Sequence, residues 1–130
     1  SRFVWMRHYV EGWPWCDRID KSSWSDRQIG CFLSFLPFTA ASWERANLWL
    51  GESRGEYWLR TNANAYHTDE DLRLAIDKLL EYRRPNAAIR CLGRMQYTKQ
   101  PINVEQCVRS LLMALSSNEP TYSDRKASYC

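Results

Sequence analysis

The chain has 130 residues, 45% of them hydrophobic and 25% charged, with a formal net charge of +3. That is the composition of an ordinary globular chain with material for one core, and it excludes a disordered one. The longest apolar run, Cys31 to Phe38, is interrupted by Ser34 and Pro37 and is too short to span a bilayer, while Arg2, Arg7 and Glu11 leave no apolar centre for a signal peptide.

The seven tryptophans all fall before residue 60, so an aromatic-rich N-terminal half precedes an aliphatic C-terminal half. No Gly/Ser/Pro-rich linker divides the two, and the expectation is one all-α domain over residues 1–118. It comprises a Trp-rich segment at 1–39 and a repeat-like segment at 40–118, followed by an irregular tail at 119–130.

Before Asp20, Gly12-Trp13-Pro14-Trp15 breaks any regular pattern. Ser25 or Asp26 then caps a helix through Leu36, with Ile29, Phe32, Leu33 and Leu36 inward and Pro37 as its stop. Thr39 caps the next, which carries Trp43, Ala46 and Leu50 and ends at Gly51. A short helix is expected from Arg54 to Arg60, and Thr61-Asn62-Ala63-Asn64 reads as loop.

The clearest signals lie further on. Thr68-Asp69-Glu70-Asp71 opens a helix by capping and by placing acids at the positive end of its dipole. Leu72, Ala75, Ile76, Leu79 and Leu80 form its apolar stripe, Arg83 and Arg84 close it, and Pro85 both stops it and suits the first turn of the next. Ala88, Ile89, Leu92 and Met95 give that next helix its stripe, and Lys99-Gln100-Pro101 ends it. Asn103 caps a third, whose expected buried face is Val104, Cys107, Val108, Leu111, Leu112 and Leu115. Connections this short force consecutive helices to lie antiparallel.

Leu72, Ala75, Ile76, Leu79 and Leu80 match Val104, Cys107, Val108, Leu111 and Leu112 at one constant offset, with an upstream echo in Trp43, Ala46 and Leu50. The segment from Leu79-Leu80-Glu81-Tyr82 through Pro85-Asn86-Ala87-Ala88-Ile89-Arg90-Cys91-Leu92 resembles a degenerate tetratricopeptide-type or HEAT-type unit. That resemblance, over residues 40 to 118, implies an α-solenoid of stacked antiparallel helices, with an irregular helical bundle as the alternative. It also implies a helical-repeat interaction or scaffolding module, not catalytic by itself, within a larger bacterial protein. No methionine stands at position 1, in keeping with a fragment or processed product. Its partner would be another protein or neighbouring domains of its own chain.

Cys16, Cys31, Cys91, Cys107 and Cys130 are odd in number and widely spaced, without a C-x-x-C pair. They read as reduced, buried thiols in a cytoplasmic protein, with a disulfide framework as the alternative, and no metal site or cofactor is indicated. Between Glu81 and Glu105 there is no acid, while Arg83, Arg84, Arg90, Arg94 and Lys99 carry five positive charges. This run is either a polyanion-binding patch for nucleic acid or is paired internally with Asp69, Glu70, Asp71, Asp77 and Glu81. Trp13, Trp15 and Trp24 either line a groove for a sugar ring or a proline-rich peptide, or seal the core. No catalytic set is legible. His8 and His67 stand far apart, and the Asp17/Asp20 and Glu52/Glu56 pairs have commonplace spacings. The remaining alternative is an enzyme fragment with an unrecognised site in the Trp-rich half, which a deep pocket lined by Asp17, Trp15 and His8 would support.

Overall fold

The structure, a computed structural model, describes residues 2–68 and 70–116, apart from the His67 side chain. Asp69 and the expected tail at 119–130 lie outside the described residues. Among the described residues the regular structure is wholly helical. These residues form eight α-helices in succession: α1 (Arg2–Glu11), α2 (Trp13–Arg18), α3 (Asp26–Ser34), α4 (Ala40–Leu50), α5 (Gly55–Trp58), α6 (Arg73–Glu81), α7 (Pro85–Tyr97) and α8 (Val104–Leu115). Short 3₁₀ turns occupy Gly51–Ser53 and Ala65–His67. No helix among the described residues is long and apolar enough to cross a membrane.

Helices α1 and α2 form where no pattern was expected. Apolar side chains are scattered around α1 and none of its residues is buried, so it has no stripe to read. Gly12, at a φ of 72°, turns the chain between them, and Pro14 sits in the first turn of α2, where its missing N–H costs nothing. The Lys21 ammonium closes α2 by donating to the Cys16 carbonyl at 2.7 Å, and it lies 4.2 Å from the Trp49 ring on α4.

Helix α3 opens with a full capping box. Gln28 N–H donates to Ser25 Oγ at 3.1 Å, and Ser25 N–H donates to Gln28 Oε1 at 2.8 Å. It buries Ile29, Phe32 and Leu33, as its spacing predicts. Its backbone also meets α5 directly at Gly30, because a β-carbon there would stand 2.5 Å from the Glu56 carbonyl oxygen.

Two expected caps are reassigned. Thr39 makes no side-chain cap on α4; instead Glu70 Oε2 accepts the Ala40 N–H at 2.5 Å. Thr68 does not open α6 either: its hydroxyl accepts the Glu70 N–H at 3.0 Å, and the helix begins at Arg73, whose N–H Asp71 accepts at 2.9 Å. The acid run is thus divided between two helix starts, since Glu70 is long enough to cross to α4. The Asn103 cap forms as expected, accepting the Gln106 N–H at 3.0 Å.

Helix α6 packs against α7, and α7 against α8. The ends of α6 and α7 are built alike. Arg83 at φ 58° and Lys99 at φ 60° take the left-handed position that usually falls to glycine. In each, the following N–H reaches back to the last turn: Arg84 to the Leu79 carbonyl at 2.8 Å, and Gln100 to the Met95 carbonyl at 2.9 Å. A proline comes next both times, Pro85 and Pro101.

The buried face expected of α8 is largely the wrong one. Gln106 and Ser110 are its buried residues, with Cys107 and Met113 packed against the core, whereas Val104, Val108, Leu111, Leu112 and Leu115 are exposed. The constant offset that pairs them with Leu72, Ile76, Leu79 and Leu80 therefore matches spacing but not environment. The reason is polar. Gln106 Nε2 donates to the Arg73 carbonyl at 2.8 Å and to Asp77 Oδ1 at 2.7 Å, and these bonds turn the amide face of α8 toward α6.

One core runs from Cys16 to Met95, including Trp43, Tyr57 and Trp58 in edge and tilted ring contacts. Cys16, Cys91 and Cys107 are free thiols, the first two buried. Cys31 is disulfide-bonded, so the expectation of reduced thiols does not hold for it. Burial pushes the Cys91 thiol up to about 12 and raises that of Cys16, with the Asp17 charge assisting.

Three results are expected. Gly30→Ala destabilises by about 2 kcal/mol or more, because a rigid backbone must move, while Gly93→Ala, which meets no atom within 4 Å, stabilises by about 1 kcal/mol through helix propensity; urea denaturation measures both. In native protein, iodoacetamide modifies Cys107 before Cys16 or Cys91, as read by peptide mass spectrometry. Since an ordinary thiol ionises near 9.0 and that of folded Cys91 near 12, the contribution of the neutral thiol is complete below pH 9 and is lost as pH rises between those values. Chemical denaturation across that range follows the decline.

Candidate functional site

The basic run does not form one patch. Arg84 is only 1% exposed, and its guanidinium donates to the Trp58 and Thr61 carbonyls, both at 2.7 Å. It is a buried joint between the start of α7 and the segment after α5, which removes it from any polyanion surface. Arg83 and Lys99 occupy the ends of α6 and α7, about 20 Å apart along the α7 axis. Only Arg90 and Arg94 come together, one turn apart on α7.

The three tryptophans are not a bare aromatic platform. Trp13 is covered by the Arg45 guanidinium at 3.9 Å and meets the His8 ring edge-on at 4.9 Å. Trp15 lies beneath Arg7 at 5.3 Å and packs toward Phe32, and Trp24 meets Phe32 edge-on at 5.4 Å. Trp24 also lines a shallow cleft of about 440 Å³ with Val4, Gln28 and Phe35. Asp17 is held by Arg45 through two 2.8 Å bonds, and that guanidinium keeps its carboxyl below the usual range. Burial and then the Arg45 charge lower the pKa of His8. His8, Trp13, Arg45 and Asp17 form a packed column joining α1, α2 and α4, not an acid–base pair facing a cavity.

A site that the sequence did not announce lies elsewhere. A cleft of about 890 Å³ separates the segment Asn62–Tyr66 from one face of α7. Its helical wall is Arg90, Gly93, Arg94 and Tyr97, the i, i+3, i+4, i+7 set that shares one side of a helix. Gly93 leaves the floor open, with no atom within 4 Å of the place a β-carbon would take. Tyr66 and Tyr97 are largely exposed, and Arg94 reaches the Thr68 carbonyl at 3.4 Å beside the Tyr97 ring.

The opposite wall is held in an unusual conformation. Ala63 adopts φ 52°, a left-handed geometry that costs a non-glycine residue about 1–2 kcal/mol. Thr61 Oγ1 accepts the Ala63 N–H at 3.2 Å, Asn64 Oδ1 accepts the Tyr66 N–H at 3.0 Å, and Arg84 grips the Thr61 carbonyl from below. Asn62, Ala63 and Asn64 also border a second cleft of about 570 Å³ toward Trp5, Met6 and Phe38, so this short segment is a ridge between two hollows. The one legible signal for the site was the surface stripe of α7, which a search for apolar spacing passes over.

Among the described residues, no three His, Cys, Asp or Glu side chains group as metal ligands. No protein-family model matches the chain, and no curated protein or solved structure does either.

Arg84 is expected to be a positioning residue for the cleft. Arg84→Met leaves two buried carbonyls without their donor and costs about 3 kcal/mol; Arg84→Lys recovers only part of this. Urea denaturation midpoints for the two variants measure the effect.

Proposed function

We propose that this chain is a helical-repeat interaction module of tetratricopeptide-like or HEAT-like kind, within a larger protein and without catalysis of its own. Its working site is the cleft between Asn62–Tyr66 and α7, and the ligand is an extended peptide segment of a protein partner. The observation that carries this reading is the α7 face of Arg90, Gly93, Arg94 and Tyr97 set across an open floor from two asparagines.

That face is about 10 Å long, the span of three extended residues. Asparagine amides both donate and accept, which suits the alternating groups of a peptide backbone. Exposed tyrosines supply broad contact area at low entropic cost. The similar ends of α6 and α7 support a repeating construction, in which neighbouring units leave one long face for a partner. The free thiols of Cys16, Cys91 and Cys107 accord with a cytoplasmic setting, to which Cys31 is the exception. Polyanion binding, the second reading, retains Arg90 and Arg94 but loses Arg84 to the core.

Gly93→Trp fills the cleft without displacing the chain, because that position faces open space. Peptides selected from a random display library on the full chain are expected to bind it and to lose at least about tenfold in affinity for Gly93→Trp, a loss of about 1.4 kcal/mol. Helical circular dichroism should remain unchanged. A selection yielding no binder sensitive to Gly93→Trp overturns the reading. A single-stranded oligonucleotide that binds in a Gly93-dependent way, with affinity falling steeply in salt, favours the polyanion instead.

A further inference from the structure

Helix α8 has two faces with opposite roles. The inward one carries the buried Ser110, whose Oγ donates within the helix to the Gln106 carbonyl at 2.7 Å, and is fixed by the Gln106 bonds to Arg73 and Asp77. The helix cannot roll to bury its leucines without breaking them. On the outward face Val104, Val108, Leu111, Leu112 and Leu115 are 74%, 49%, 57%, 63% and 85% exposed. Their contiguous apolar surface, roughly 500 Å², is of the size that marks an interaction site.

We propose that this face is a self-association surface, on which α8 of a second copy of this chain packs antiparallel about a twofold axis. Val104, Val108, Leu111 and Leu115 follow one another at steps of four, three and four residues, the seam by which one helix packs on another. That order of steps is identical read in either direction. An antiparallel copy therefore sets Val104 opposite Leu115 and Val108 opposite Leu111, so every layer joins a branched valine to a leucine. A partner of another sequence would have to match this register, whereas a second copy does so by symmetry.

At the edge of this face Glu105 is exposed, while Arg109 lies 3.8 Å from Asp77 and is turned back toward α6, so no cluster of like charge lies on the seam. Together the two faces cover about 1,000 Å², the lower end of what a specific interface needs. The association is independent of the cleft, and Gly93→Trp leaves it intact.

Sedimentation equilibrium of the full chain from about 1 to 200 µM is expected to show a monomer of 15.4 kDa passing to twice that mass. Leu111→Glu, at a position already more than half exposed, keeps the helical circular dichroism and weakens association at least a hundredfold. Val108→Glu and Leu111→Lys each weaken self-association when alone. Mixed, they form a heterodimer, because the carboxylate introduced in one copy faces the ammonium introduced in the other. A chain that stays monomeric to 200 µM, a dimer insensitive to Leu111→Glu, or no recovery on mixing overturns the proposal.

Discussion

The structure turns on a buried arginine. Arg84 follows the left-handed residue that ends α6, and its own N–H completes that ending while its side chain leaves the helix altogether. The guanidinium then satisfies two carbonyls, those of Trp58 at the end of α5 and Thr61 just after it, that would otherwise be stranded in the core. One residue thus ends a helix, leads into Pro85 and the next one, and ties the aliphatic half of the chain to the aromatic half. A guanidinium suits this task because it presents several donors in a fixed plane and keeps its charge wherever it lies.

A second polar constraint sets the other end. Gln106 anchors α8 on α6, and its two bonds decide which side of α8 faces inward. A helix with its amide and hydroxyl inward and its leucines outward contradicts simple burial, yet unpaired polar groups in the core are costly and paired ones specify orientation. The cost is a bare apolar face, which is why this helix, and not α6 or α7, is the natural place for a second surface.

Between these constraints the cleft follows as a geometric consequence. Arg84 fixes Thr61, Thr61 holds Ala63 in its strained conformation, and the ridge so formed stands across from α7. Strain of this kind persists only where surrounding bonds enforce it, and it is concentrated at sites that do work. The open floor at Gly93 and the tight contact at Gly30 show two uses of the same residue: one keeps the cleft open, the other lets two backbones touch.

The sequence by itself determined the helical class, a cap of α3 at Ser25 or Asp26, the Asn103 cap, the stripes of α3, α4 and α6 with most of that of α7, and the stops at Pro37, Pro85 and Pro101. All of these depend on neighbours within a turn or two, so local spacing and capping chemistry suffice. Helices α1 and α2 escaped notice because a helix without a buried stripe has no period to detect. Only the tertiary structure decided that Arg84 is a joint and not part of a basic patch, that Glu70 caps α4 in place of α6, and that Trp13 and Trp15 are covered by arginines. It alone turned α8 outward and opened the cleft opposite Asn62 and Asn64. Long polar side chains such as Arg, Glu and Gln reach across the fold, and the sequence does not specify which distant carbonyl or amide each will meet.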